Sequence, residues 1–394
     1  MAKIRVNFHM GRLLGGGIET SLLTYLTNFD SDRYDVSLTV GWQMKELDSF
    51  TELMPSNIEV RYLVQNQILN SLKIKKIKHG KLNVIENIIE NLVLVPLGRL
   101  IYIRNFKKNI SNYDIILDFG LSLPLECLNV DVPIITFLHF DLHTYLLGKL
   151  NNTKRMLYKF NKFAAVVTLN EKMLFDCQTV YPELVQKFHK IYNLFDESLI
   201  KSKAGELIDL DFGNYIVSVG RIQEDQKDFT TLINAFKILK IDKQYTGKLV
   251  IVGDGHDRER LEKFVQKLEL NNDIVFVGQQ SNPYKFMKNA EAFIFSSKSE
   301  GFGNVLVEAM IVGVPIVATD CPVGPREILQ DGSCGKLVTV GDVNMMANSI
   351  HELLVDSNKK NNLITNANKR VKDFTVKDNI NQFYSLINNI INER

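Results

Sequence analysis

The stretch Ser296–Gly313, SSKSEGFGNVLVEAMIVG, holds the side chains best placed to do chemistry. Apolar runs lie on either side of it, at 292–295 and 315–318, so it reads as strand, glycine turn, helix, strand. The turn GFGN (Gly301, Phe302, Gly303, Asn304) opens a helix from about Val305 to Ile311. Amides without intrahelical partners and the positive end of the helix dipole then make an anion site. Gly301 and Gly303 let a phosphate come close to the backbone. Glu300 precedes the turn, and Glu308 lies eight positions later, inside the helix. Two carboxylates would repel a bare anion. They suit a phosphate flanked by hydroxyl groups, with Glu300 on a polyol and Glu308 on a ribose, as in a sugar–diphosphate–nucleoside. The plainer alternative is an acidic helix start that complements the dipole.

A second stretch, VGRIQEDQKDF (Val219–Phe229), has the same strand–loop–helix form. Its Arg221 and Lys227 could converge on a diphosphate, the first as a fork and the second as a point charge. Taken alone they could equally be surface cations bridging Glu224, Asp225 or Asp228. The third stretch, VGDGHDRERL (Val252–Leu261), approaches the dinucleotide fingerprint but has Arg258 at the third glycine position. Gly253 there suits a nucleotide-contacting turn or simple turn geometry. Near the start, Gly15, Gly16 and Gly17 follow an apolar run and lead into a helix from Ile18, with Arg12 in the same loop. They could present amides to a diphosphate. His139 ends another apolar run and heads the string HFDLH. A strand-end histidine facing a ligand cleft is favoured over a structural one, and over a metal site with Asp141 and His143, because no further ligand cluster accompanies it. The Asp209–Asp211 string DLD is set aside as part of a linker. GxSxG, Walker, HExxH and zinc-type cysteine patterns do not occur.

The elements that must position these residues alternate along the whole chain. Strands are expected at 4–8, 36–40, 58–63, 115–118, 134–138 and 165–168, and again at 215–219, 248–252, 274–277, 292–295, 315–318 and 336–338. Their apolar runs are continuous, which requires helices on both sheet faces and implies α/β, doubly wound parallel sheets. The polar stretch 196–214 divides the 394 residues into an N-terminal domain, 1–200, and a C-terminal domain, 210–375. The periodic segment 376–394 is a helix that packs on one of them, with the first as the candidate.

Composition narrows the function. Forty-seven Lys and Arg balance 45 Asp and Glu, so the chain as a whole is no nucleic-acid binder. Four scattered cysteines exclude a disulfide scaffold and suit the cytoplasm. The start lacks the long apolar segment of a secretory signal, and no run is apolar enough to span a bilayer. Residues 71–108 depart from the balance, with nine Lys or Arg against two Glu, interleaved with aliphatic side chains. Such a segment can lie on an anionic membrane surface, or be a pair of solvated helices with apolar faces turned inward.

Together the segments VGRIQEDQKDF, LVIVGDG, IVFVGQ and SEGFGNVLVEAMIVGVPIVATDCPVGPREIL resemble glycosyltransferase family 4, the retaining nucleotide-sugar enzymes of GT-B architecture. The likeness is specific over 215–340 and looser before it, where GGGIET, His139 and IYNLFD are similar to family landmarks. It implies two Rossmann-like domains facing an interdomain cleft. It implies that Arg221 and Lys227 neutralise a diphosphate, that Glu300 holds donor-sugar hydroxyls, and that the amides of Gly301 through Asn304 meet phosphate and sugar. Glu308 would bind the ribose, with Gly16 and Gly17 approaching the diphosphate and His139 near the reacting sugar and acceptor. Asp228 stands where the family has glycine, and VGPRE where it has a small pair before Glu.

The expectation is a metal-independent enzyme, without a cofactor, that moves a sugar from a nucleotide diphosphate sugar, with UDP the carrier the resemblance implies, to a cell-envelope glycan or lipid-linked acceptor. Alternatives are a nucleotide-sugar epimerase, a phosphorylase, or a silent sugar-nucleotide-binding subunit. Residues 71–108 would place it on the inner face of the cytoplasmic membrane.

Overall fold

The computed structural model describes residues 2–48, 50–146, 150–208 and 210–393. Asp209 of the DLD string and Arg394 of the final segment lie outside the described residues. The chain forms two units, one from Met1–Leu194 with Asn379–Arg394 and one from Phe195–Asp378.

In the first unit the apolar runs form β1 (Ile4–Met10), β2 (Tyr34–Trp42), β3 (Glu59–Val64), β4 (Ile115–Asp118), β5 (Ile134–Leu138), β6 (Ala165–Thr168) and β7 (Phe188–Lys190). They lie in the order β3-β2-β1-β4-β5-β6-β7, all parallel, with Val6 opposite Val36 on one side and Ile115 on the other. The order reverses between β1 and β4, so the crevice at their carboxyl ends is where such a sheet binds ligands. The second unit holds β8 (Tyr215–Val219), β9 (Lys248–Val252), β10 (Ile274–Gly278), β11 (Phe293–Phe295), β12 (Ile316–Thr319) and β13 (Lys336–Val338). Their order is β10-β9-β8-β11-β12-β13, again parallel, with the reversal between β8 and β11. Val217, Leu249, Ile294 and Val317 are fully buried, because helices cover both faces of this sheet.

Two features differ from the sequence expectations. β7 was not expected: it is only three residues long and buries Phe188 alone, too short for a periodicity signal. The stretch 196–214 is not all linker. Asp196 caps a helix, Glu197–Ala204, by accepting from the Leu199 amide at 2.9 Å. That helix packs on the helices Tyr284–Lys288 and Asn304–Val312, which puts the start of the second unit at Phe195 rather than near residue 210. The last helix, Val376–Asn392, belongs to the first unit from Asn379 onward. Phe383 sits 5.3 Å, ring to ring, from both Tyr25 and Phe137, and Tyr384 stacks on Tyr34 at 5.0 Å while its hydroxyl accepts from the Asp30 amide at 2.7 Å.

Candidate active site

In the second unit the two charged motifs leave the adjacent strands β8 and β11 at the reversal of the sheet. About seventy residues apart in sequence, they are joined by a ladder of hydrogen bonds. Ser296 Oγ donates to the Lys227 carbonyl at 2.7 Å, the Lys298 amide donates to the Gln226 carbonyl at 2.7 Å, and Gln226 Nε2 donates to the Ser299 carbonyl at 3.3 Å. At the end of this ladder the Lys227 ammonium meets Glu300 Oε1 at 2.5 Å, with both side chains largely withdrawn from solvent. Lys227 therefore bridges none of the neighbouring acids. Glu224 is held by Arg260, and Asp228 by Lys298 at 3.2 Å. Arg221 stays exposed, and its guanidinium has no ion pair or hydrogen bond among the described residues.

Behind Glu300, Gly303 adopts φ 101° and starts the helix Asn304–Val312; as a glycine it brings no capping side chain to that end. Phe302 turns into the core against Phe195 and Phe374. Glu308, one turn into the helix, is 6% exposed, and no hydrogen bond or ion pair reaches it among the described residues. Burial raises its pKa to about 7. A largely buried carboxyl without such partners beside a helix start is poised to accept hydrogen bonds from hydroxyl groups.

The backbone explains two further positions. A Cβ on Gly253, which has φ 143°, would stand 1.9 Å from the Gly220 carbonyl oxygen. Glycine is thus required there for the β8 and β9 loops to pack, whatever else the turn contacts. A Cβ on Gly324, which has φ 100°, would stand equally close to the Phe302 carbonyl oxygen. Gly324 is a buttress of the GFGN turn, and it lies in the VGPRE string that departs from the family pattern. Asp228 occupies the left-handed region at φ 48°, ψ 48°, and caps the helix Phe229–Ile241 by accepting from the Thr231 amide at 3.4 Å, with Thr231 Oγ1 donating to the same carboxylate at 2.8 Å. Aspartate tolerates that conformation better than most residues, so it can replace glycine.

In the first unit the glycine loop follows β1. Gly15 has φ 73°, Gly16 is extended at φ 179°, and Gly17 begins the helix Gly17–Asn28. Glu19 reaches back to accept from the Leu14 amide at 3.1 Å, and Arg12 is exposed. His139 follows β5, its ring against Phe119 at 5.0 Å and parallel to Phe137 at 6.1 Å. Burial lowers its pKa to about 4, although a hydrogen bond to the Phe119 backbone favours the proton. Its Nε2 is buried and has no partner among the described residues. The ring is neutral at physiological pH, with an unused polar nitrogen. Asp141 and His143 do not join it: Asp141 caps the following turn through the His143 amide at 3.0 Å, and His143 pairs with Asp176 at 3.2 Å. Among the described residues no group of three metal-ligating side chains assembles.

The sequence reading missed a buried cluster at the β1–β4 reversal. His9 Nδ1 lies 3.2 Å from Asp118 Oδ1, and Nε2 lies 2.6 Å from the Tyr102 hydroxyl. Ser122 Oγ and the amides of Ser122 and Leu123 donate to the same carboxylate at 3.0–3.1 Å. Burial works to raise the pKa of Asp118, but His9, the Lys159 charge and the Leu123 amide hold it below the ordinary range. The signal was a histidine inside an apolar strand, IRVNFHM, and an aspartate closing another, IILD. The network ties the loops at the carboxyl ends of β1 and β4 together.

Residues 209–370 match the family model described as glycosyl transferases group 1, a span that takes in all six strands of the second unit and both charged loops. The glycosyltransferase resemblance read from those loops is borne out. Over 189 residues, 48% of this chain and 50% of the other, it is 35% identical to an N-acetylgalactosamine-N,N'-diacetylbacillosaminyl-diphospho-undecaprenol 4-alpha-N-acetylgalactosaminyltransferase of Campylobacter jejuni. Over 180 residues, 45% of this chain and 46% of the other, it is 31% identical to the capsular polysaccharide biosynthesis glycosyltransferase CapM of Staphylococcus aureus. The chain thus spans about half the length of the curated relatives it matches. Among solved structures, Anabaena HepE in complex with UDP and glucose superposes with a TM-score of 0.75 at 21% identity, covering 98% of this chain and all of that one. TarM of S. aureus in complex with UDP superposes with 0.76 at 15% identity over 98% and 100%. The fold is the GT-B pair of Rossmann-like domains.

Proposed function

We propose that the chain is a retaining glycosyltransferase of family 4. It transfers a hexosyl or N-acetylhexosaminyl group from a nucleotide diphosphate sugar, with UDP as carrier, to a hydroxyl of a cell-envelope glycan or its lipid-linked precursor. The observation that carries this reading is the convergence of Lys227 and Glu300 at the β8–β11 reversal. It sets a cation, a sugar-binding carboxylate and a helix amino terminus around one point.

The chemistry follows from where charge develops. As the anomeric carbon–oxygen bond breaks, its electrons pass to the diphosphate, and the sugar gains oxocarbenium character. Arg221, which has no ion pair or hydrogen bond among the described residues, takes the diphosphate as a fork. Lys227 has three donors and can keep one on Glu300 while turning another to phosphate. The amides from Gly301 to Asn304 face the same anion, and Glu300 accepts from sugar hydroxyls. Glu308 accepts from the ribose, which supplies the hydrogen bonds its buried carboxylate lacks. These groups stabilise the leaving group without a metal or a cofactor, and same-face attack needs no hydrolase-type carboxylate pair. Gly16 and Gly17 are assigned to the diphosphate and His139 to the reacting sugar and acceptor on the resemblance. The neutral ring and unpartnered Nε2 of His139 fit a hydrogen-bonding role. The four buried free thiols suit action in the cytoplasm, and relatives that build capsule and lipid-linked glycans support the acceptor class.

The test is a thermal-shift screen of the full chain against nucleotide sugars, followed by a transfer assay with the donor that binds. A UDP-sugar should raise the melting temperature, and Arg221→Ala or Glu300→Ala should lower transfer by ~10²–10³. Full transfer by both variants, or interconversion of the free nucleotide sugar without an acceptor, overturns the assignment.

A further inference from the structure

The segment Val84–Asn109 is one long helix with a π turn at Glu90–Leu94. Pro96 explains the irregularity: its ring would strike the carbonyl four residues back in a regular helix, and the wider turn makes room. At about 1.5 Å per residue the helix runs on the order of 40 Å.

Its inner stripe is firmly anchored. Gly98 lies so close to the Trp42 ring that a Cβ would clash with it, Tyr102 bonds His9, Phe106 is buried, and Asn105 Nδ2 donates to the Leu63 carbonyl at 2.7 Å. The opposite stripe is apolar and exposed. Ile85, Ile88, Ile89, Leu92, Leu97 and Leu100 recur at helical spacing, with Leu92 73% and Leu100 66% exposed. The same stripe continues into Arg104, Lys107 and Lys108, which are exposed and form no ion pair among the described residues. The loop residue Lys81 at the other end is exposed and forms no ion pair among the described residues.

We propose that this stripe is a docking surface for an anionic lipid bilayer, with the helix lying in the plane of the headgroups, the aliphatic side chains inserted, and the basic ends on lipid phosphates. The inference does not rest on the donor chemistry. Charge decides the occupant. A second copy of the chain would bring the same cations to the contact and no free acid to meet them, since Glu86 is held by Lys75 and Glu90 is buried. An anionic surface over a hydrocarbon layer satisfies both halves of the stripe. The helix lies on the bilayer, because no described helix is long and apolar enough to cross one.

The experiment is flotation of the full chain with vesicles of phosphatidylcholine alone or with about one third phosphatidylglycerol. Flotation should require phosphatidylglycerol and fall with salt. Combined Ile85→Ser, Ile88→Ser, Leu92→Ser and Leu97→Ser should cut it at least ~10-fold without lowering the melting temperature, since these side chains are exposed. Combined Arg104→Glu, Lys107→Glu and Lys108→Glu should cut it on the order of 100-fold, at roughly fivefold for each cation lost. Absence of flotation, or flotation that neither variant changes, overturns the proposal. So does a wild-type dimer in sedimentation that the serine variant splits.

Discussion

Glu308 offers a prediction whose size and sign can both be worked out. Its carboxyl is buried in the helix Asn304–Val312, and burial alone raises its pKa from 4.5 to about 7. The protonated form is therefore favoured in the folded protein below about pH 7. A carboxyl whose folded pKa lies above its unfolded value contributes fully below the unfolded value, and that contribution is lost as pH rises through the folded one. Here the window runs from about 4.5 to about 7. At about 1.4 kcal/mol for each pH unit between the two values, the ionised carboxylate costs the second unit about 3 kcal/mol above neutrality. Glu308→Gln removes the charge and keeps the shape. At pH 8 it should raise the melting temperature of the unliganded protein by roughly 5–10 °C, less whatever the amide loses for lack of partners, and at pH 5 it should change little. A nucleotide sugar should act in the reverse sense. Ribose hydroxyls that donate to Glu308 favour its charged form, so binding near pH 7 should release about half a proton, read by calorimetry in buffers of different ionisation enthalpy. Glu308→Gln should abolish the release. A wild-type protein that binds nucleotide without releasing a proton, together with a variant whose melting temperature keeps the wild-type pH dependence, would refute the reasoning.

His139 should titrate well below neutrality, so its ring signals should stay constant between pH 8 and 5.5 in NMR; its folded pKa lies below the unfolded value, and the stability it contributes is lost only as pH falls from about 6.5 toward 4. Gly324→Ala should cost several kcal/mol, ~3 or more, because the added carbon meets a backbone oxygen at positive φ, and transfer should fall with the loosened GFGN turn; a variant as stable and active as the parent removes the buttress role. Asp228→Ala should lose about 1–2 kcal/mol in denaturant unfolding from its cap and its left-handed backbone, whereas Asp228→Gly should lose less; equal losses in the two would show that conformation does not matter there.

The strands were legible because a parallel sheet covered on both faces writes itself as unbroken apolar runs, and FIF at 293–295 stays readable even at three residues. The charged loops were legible because each leaves such a run through glycine. What the sequence could not carry was pairing across distance. Nothing local to VGRIQEDQKDF says that Lys227 meets Glu300 instead of Asp225 or Asp228. That choice is made by the adjacency of β8 and β11, through backbone bonds such as the Lys298 amide to the Gln226 carbonyl. The same holds for His9 and Asp118, which look like isolated polar residues in apolar strands until β1 and β4 lie side by side. Residues 71–108 show the complementary limit. Counting charges exposed a basic segment, but the count could not separate a helix whose apolar stripe is buried from one whose stripe faces outward. Gly98 against Trp42 and Tyr102 on His9 settle the rotation of that helix, and so turn Leu92, Leu97 and Leu100 to the outside.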